Sequence, residues 1–403
     1  MLSAKRQPSK RVLVVQPYVP AYRTAFFEQV ERVLASAGVA LEVAHGSPTG
    51  EQEARRDAAV CRCATRVPTK RWSTPGGRQL NWHTLARQAA RADAVVLEQA
   101  LHNLEAYPLL VRKSVSHLRR RVRPIGFWGH GRTFTKPQSR LEAWAKDVLT
   151  RRGSWFFSYT DGGAAHVASA GFPRERITVV HNSIDTAALS NTCERARRFG
   201  TTEYAEATLL RQRHNLVVGR TALFLGGLDA PKRIPFLLDT ARRIAQVLPD
   251  FRLLVAGDGP ERNLVETAAS CPGSAVIAVG RAVGRNAALL GAVSDIMLMP
   301  GRVGLCAVDS FALRTPIVTT AWPWHAPEFE YLTDGGNAVV AFDDPGAYAA
   351  AAVALLRDHD RLAALTDACS GDASVYTIEN MAARFGDGLL RMLSEYEGTS
   401  RRT

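Results

Sequence analysis

Long apolar runs are missing from this chain. In 403 residues no stretch approaches the ~18 uninterrupted apolar positions of a spanning helix, and that class is excluded. Cysteine is scarce. Of the six, only Cys61 and Cys63 lie close together, which makes neither a disulfide framework nor a zinc signature and fits a reducing cytoplasm. The opening MLSAKRQPSKRVLVVQP is basic, but Gln16 and Pro17 cut its apolar run short, so it does not read as a secretory signal. Acidic residues are in deficit, 38 Asp+Glu against 51 Lys+Arg, for a net charge of +13. What is present is a folded composition, 46% hydrophobic and 22% charged, with chain enough for two or three domains.

The charge is uneven. Residues 1–200 hold 32 Lys+Arg and 15 Asp+Glu, a net +17, leaving −4 for the rest. Such a split points the first half at something anionic: nucleic acid, a membrane surface or a phosphorylated substrate. A solvated Arg-rich face is the plainer alternative.

Short β-rich runs alternate with helical stretches. VLVV, LEVAH, AVVLE, IGFW, FFSYT and ITVV are strands of the first half, and TAFFEQVERVLASAG (24–38) is a helix. After a polar, Arg-rich interval the alternation restarts with ALFL, LLVAG, AVIAVG, IMLMP, PIVTT and AVVAF, with IPFLLDTARRIAQVL (234–248) as a helix. Continuous apolar strands separated by helices predict parallel sheets covered on both faces. The expected fold is therefore α/β, two doubly wound Rossmann-like domains facing a cleft, with ligands at the carboxyl ends of the strands. The expected boundaries are a basic tail at 1–10, a first domain at 11–190, a linker at 191–218, a second domain at 219–375 and a terminal helix at 376–403.

Three stretches of the second half carry chemistry. LFLGGLDAPKR (223–233) runs from a strand through Gly226 and Gly227 to Lys232 at a helix entrance, a place that attracts phosphate. In IMLMPGRVGLCAVDSFALRTPIVTT (296–320), Gly301 and Gly304 permit a tight turn around Val303 and Leu305, and Asp309 sits in an apolar helix. Burying that carboxylate is costly unless it is paired. AWPWHAPEFEYLTDGG (321–336) then places His325 and Glu328 at the edge of the sheet. In the first half, FWGHGRTF (127–134) sets His130 between glycines at a strand end, with Arg132 two residues on. Asp358-His359-Asp360, the lone Asp-x-Asp, falls between two late helices and reads as structural, so no metal site is expected.

The order of these motifs resembles the GT-B retaining glycosyltransferases of family 4, the group 1 transferases. The matching elements are Gly226, Gly227 and Lys232, the turn Val255 to Pro260, and VVHNSIDT from Val179 to Thr186. A further match is Gly304–Leu305, which aligns Asp309 with the second of two family glutamates, and Pro327–Glu328 follows the next strand. The first family glutamate falls on Gly301, the usual Gly-Arg is Gly226–Gly227, and no glycine pair follows the first strand. The chain thus resembles a divergent branch with a W-G-H-G element and P-G-x-V-G-L in place of the glutamate.

The resemblance implies a hexosyl or related transferase that is retaining and metal-independent. It would have no cofactor and would take a UDP-, GDP- or dTDP-sugar as co-substrate. In that reading Lys232 meets the diphosphate, the Gly301–Leu305 turn donates backbone N–H groups, Asp309 binds the ribose, and Glu328 and His325 line the sugar pocket. His130 faces the sugar, and Arg132 or Arg23 faces an anionic group. The terminal helix crosses back to the first domain. The acceptor is a glycan, a secondary metabolite or an anionic, lipid-linked molecule, with the protein cytoplasmic and peripheral at the inner membrane face. Epimerase-like chemistry on the same scaffold and a non-catalytic partner protein are the alternatives. Nucleic-acid binding is disfavoured, because the basic run Arg119–Arg123 has no reader motif beside it.

Overall fold

The structure is a computed structural model, and it describes residues 9–48, 53, 58–74, 79–116, 123–134 and 137–400. Residues 1–8 of the expected tail, and Arg119 to Val122 of the basic run, lie outside them. The chain divides into two units, 1–184 together with 378–403, and 185–377.

The first unit opens with β1 (Lys10–Gln16), α1 (Ala21–Ser36), β2 (Val39–His45) and β3 (Ala64–Arg66). A hairpin of β4 (Thr69–Ser73) and β5 (Gln79–His83) follows, then α2 (Ala86–Arg91), β6 (Ala94–Glu98) and α3 (Ala106–Ser116). β7 (Ile125–Gly129), α4 (Arg140–Arg151), β8 (Trp155–Ser158), α5 (Asp161–Ser169) and β9 (Ile177–Val179) complete the alternation. Apart from the hairpin, the strands form one parallel sheet ordered β3-β2-β1-β6-β7-β8-β9. Neighbouring residues of one strand point to opposite faces, so both faces need cover. Val12 and Val14 join one core with Phe26 and Val30 of α1, whereas Leu13 and Val15 join the other with Leu110 of α3 and Leu149 of α4.

The second unit begins where a linker was expected. Residues 191–218 instead lie within and after two helices, α6 (Ala187–Arg197) and α7 (Thr202–His214). Their many charges masked a narrow apolar stripe: Leu189, Cys193 and Ala196 are buried, spaced as one helix face requires. Then come β10 (Thr221–Leu225), α8 (Ile234–Val247), β11 (Arg252–Ala256), α9 (Arg262–Ser270), β12 (Val276–Gly280) and α10 (Arg285–Ala292). β13 (Ile296–Met299), α11 (Cys306–Leu313), β14 (Ile317–Thr320), β15 (Ala338–Ala341), α12 (Pro345–Arg357) and α13 (His359–Val375) end it. The parallel sheet runs β12-β11-β10-β13-β14-β15. Asp358, from the Asp-x-Asp, caps α13 by accepting the Arg361 N–H at 2.9 Å.

The chain then returns to the first unit as α14 (Ile378–Ser400). Met381, Ala382, Phe385, Leu389 and Met392 form its buried face and complete the core over α1. The charge follows this division: Lys+Arg exceed Asp+Glu by 16 in the first unit and fall short by 3 in the second.

Candidate functional site

In a doubly wound sheet the strand order reverses at one point, and the loops leaving the two strands there diverge to opposite faces, opening a crevice. In the second unit that point lies between β10 and β13. The loops that follow them carry Gly226, Gly227 and Lys232 on one side and Gly301 to Leu305 on the other. Main chain joins the two loops. The Arg302 N–H donates to the Pro231 carbonyl at 2.8 Å, and the Lys232 ammonium donates to the Arg302 carbonyl at 2.7 Å. Gly301 is where they touch. A Cβ there would lie 2.3 Å from the Pro231 oxygen and 2.6 Å from the Lys232 carbonyl carbon. No side chain, an acid included, fits this turn as it stands.

The turn also decides which amides remain free. The Val303 N–H is spent on His325 Nδ1 at 3.0 Å, and its carbonyl accepts from Ala326 at 2.8 Å. His325 Nε2 then donates to the Thr320 carbonyl at 3.0 Å. Both ring nitrogens are occupied, and the imidazole stacks on Phe329 at 4.1 Å. Desolvation pushes its pKa down to about 4, so the ring is neutral. His325 therefore holds the turn, a different task from the pocket lining expected of it, and Val303 is likewise a core residue. The amides of Leu305 and Cys306, at the uncapped start of α11, find no partner among the described residues.

Asp309 sits one turn into α11. Part of its surface stays exposed, but apolar packing desolvates the carboxyl and pushes its pKa up to about 7, with the Lys232 ammonium pulling the other way. Glu328, 3% exposed, lies in the first turn of a short 3-10 helix, and its Oε2 lies 3.8 Å from where a Gly304 Cβ would stand. Lys232, Asp309 and Glu328 all act electrostatically on the Cys306 thiol, which places the three around the start of α11.

In the first unit the order reverses between β1 and β6. His130 follows β7, the strand next to β6. Its imidazole keeps an exposed face and lies 4.4 Å from the Tyr159 ring. Desolvation of the remainder, then the Lys146 and Arg23 cations, push its pKa down, leaving the ring neutral near pH 7. Gly131 (φ +77°) packs main chain on main chain, since a Cβ there would lie 2.6 Å from the Gly163 carbonyl oxygen at the start of α5. Arg132 lies over the Phe134 ring at 4.5 Å and has no carboxylate partner among the described residues.

Arg23 is not an open anion contact. It is 5% exposed, and its guanidinium donates to Asn182 Oδ1 at 2.5 Å and reaches Met381 Sδ at 3.5 Å. The rings of Tyr22, Phe26, Trp128 and Tyr159 surround it. Its charge, rather than its surface, reaches His130. Asn182, within the VVHNSIDT element, is the side-chain acceptor of this buried cation.

One positioning residue was missed. Gln99, buried just after β6, accepts the Gly131 N–H at 3.0 Å and donates to both the Gly131 carbonyl (3.1 Å) and Thr150 Oγ1 (2.7 Å). It clamps both sides of one residue beside His130. A glutamine at the end of a strand next to the switch point was the available signal. Among the described residues no group of three or more His, Cys, Asp or Glu could hold a metal ion, and no helix is long and apolar enough to cross a membrane.

Comparison with known proteins accords with this geometry. Residues 219–358 match the family profile described as "Glycosyl transferases group 1". No curated protein matches the chain. Among solved structures, HepE from Anabaena in complex with UDP is similar with a TM-score of 0.66 at 15% identity, over 95% of this chain and 100% of that one. A glycosyltransferase from Rickettsia africae gives 0.63 at 12%, over 96% and 98%. UDP-GlcNAc 2-epimerase from Neisseria meningitidis, bound to UDP-GlcNAc, gives 0.58 at 12%, over 94% and 100%. The two switch-point sheets and the fold likeness give this chain the GT-B fold, and its residues 219–358 match the group 1 glycosyl transferase profile.

Proposed function

We propose that this chain transfers a sugar from a nucleotide sugar to an acceptor. One observation carries the reading: the Lys232 ammonium, the unpartnered Leu305 and Cys306 amides and the Asp309 carboxyl converge at the switch point of the second sheet. A departing nucleoside diphosphate gathers negative charge, and an ammonium beside a helix N-terminus stabilises that charge. Lys232 and the start of α11 take the diphosphate, Asp309 accepts from the ribose hydroxyls, and Glu328 orients the donor sugar. His325 positions the turn through Val303. In the first unit, neutral His130 offers a hydrogen-bonding group to a substrate, Arg132 takes an anionic group, and Arg23 biases His130 through its charge. Retention of configuration, a hexosyl donor and independence from metal follow from the family resemblance. UDP as the carrier is supported by the UDP-bound relative of the same fold. The acceptor is an anionic, lipid-linked molecule met at the inner membrane face from the cytoplasm, a reading supported by the excess of 16 positive charges on the first unit.

A thermal-shift screen against UDP-, GDP-, dTDP- and ADP-sugars tests the reading, since a ligand raises apparent stability by mass action. One nucleotide class should stabilise the protein, and Lys232→Ala should abolish that shift. UDP-GlcNAc 2-epimerases share the fold, so the bound sugar nucleotide is then incubated without acceptor. Its conversion to an epimer would replace transfer with epimerisation, and failure to bind any nucleotide would leave a non-catalytic protein.

A further inference from the structure

Cys61 and Cys63 lie apart from the site above. The Ala64 N–H closes a turn onto the Cys61 carbonyl at 3.0 Å, and within that turn the two Sγ atoms stand 3.2 Å apart. Cys61 is buried and Cys63 keeps part of its surface exposed. No other cysteine among the described residues hydrogen-bonds to a sulphur. The turn is tied down on two sides. Val43 of β2 donates to the Cys63 carbonyl at 2.8 Å, and Ala59 donates to the Val19 carbonyl at 3.0 Å, beside a bridge between Pro20 and Ala58. The chain just ahead of the pair therefore holds the entrance to α1, three residues before Arg23.

We propose that Cys61 and Cys63 form a reversible dithiol–disulfide site for hydroperoxides. The two sulphurs share a hydrogen bond in which either can be the donor, and this bond outweighs burial to bring the Cys61 pKa down to about 7, against an upward push from Glu28 and Glu31. The same contact pushes Cys63 up, so the pair shares one thiolate, which the proposal places on Cys61. Its sulphur attacks the distal peroxide oxygen. The O–O bond breaks, a sulfenic acid forms, and the leaving oxygen departs protonated as water or an alcohol. The Cys63 sulphur then attacks the sulfenic sulphur. The S–S bond forms, the S–O bond breaks, and the departing hydroxide takes the Cys63 proton as water. Two thiols lose two electrons and two protons, and the hydroperoxide is reduced.

The test uses the full chain treated with hydrogen peroxide, blocked with iodoacetamide and digested with trypsin without reduction. Trypsin cuts after Arg62, so the reduced protein releases Cys61 and Cys63 on separate alkylated peptides. The oxidised protein should keep them joined, lighter by two hydrogens, and dithiothreitol should restore the separate alkylated pair. Cys63→Ser should instead leave Cys61 as a sulfenic acid trapped by dimedone. Separate alkylated peptides after peroxide, or Cys61 joined to any other cysteine, would overturn the proposal. Irreversible sulfinic acid at either position would do the same.

Discussion

Asp309 and His325 titrate in opposite directions, and that makes the second unit's site readable by pH. Asp309 rises from its ordinary 3.8 to about 7, so between those values the folded state holds more protons than the unfolded one, and stability from this group falls as pH rises. His325 drops from 6.5 to about 4, so over that range the unfolded state holds more protons, and its contribution falls as pH falls. Asp309→Asn should therefore remove a loss of Tm seen from about pH 4 to 7, while His325→Gln should flatten the acid side. Tm series on the two variants check both signs. Lys232→Ala should cost on the order of 10²-fold in kcat/KM, the usual loss when one transition-state donor is removed, and calorimetry with the nucleotide should show weakened binding. Gly301→Ala forces a methyl group into the Pro231–Lys232 main chain and should cost about 1–3 kcal/mol in urea denaturation, while Gly304→Ala, whose closest contact is the Ala326 Cβ at a tight 3.3 Å, costs less. At this scale the sequence was legible in part. Lys232 stood out as a charge at a helix entrance after a strand, and Asp309 as a carboxylate in an apolar helix. That both His325 nitrogens bond main chain, and that Arg23 is enclosed by four rings, are properties of neighbours far along the chain, which spacing does not encode.

Elements were legible wherever a periodic apolar pattern was not outvoted by charge. The second sheet's strands appear within about a residue of their sequence limits, because buried parallel strands read as unbroken apolar runs. α6 and α7 did not appear, since charged and polar residues crowd their windows and few residues of either are buried, Leu189, Cys193 and Ala196 in α6 and Glu203 and Ala207 in α7. The β4–β5 hairpin was also missed: its residues are at least partly exposed except His83, so no alternation marks it. Beyond the ends of β6 and β7, Gln99 ties the two outgoing segments together. Gln99→Leu should leave the Gly131 N–H and carbonyl unpaired and cost about 1–3 kcal/mol per buried group, measurable by urea denaturation. α14 is the other test at this scale. Phe385 lies against Phe26, Trp128 and Phe157, and Phe385→Ala should destabilise the first unit by about 3–5 kcal/mol.

Over the whole molecule, the net charge of +13 is the sum of a strongly basic unit and a mildly acidic one. Diffuse positive charge of this kind attracts anionic surfaces in a salt-dependent way. Sedimentation with vesicles should show stronger association with anionic than with neutral lipid at low salt, and equal association would remove the membrane-side acceptor. The second unit is one uninterrupted segment, 185–377, whereas the first is closed by residues 378–400. During synthesis the second unit has everything it needs as soon as it leaves the ribosome. The first, though made earlier, waits with the α1 side of its sheet only part-covered until α14 arrives. Maturation of this chain thus runs against the direction of translation, and the unit that begins last is the first to be finished.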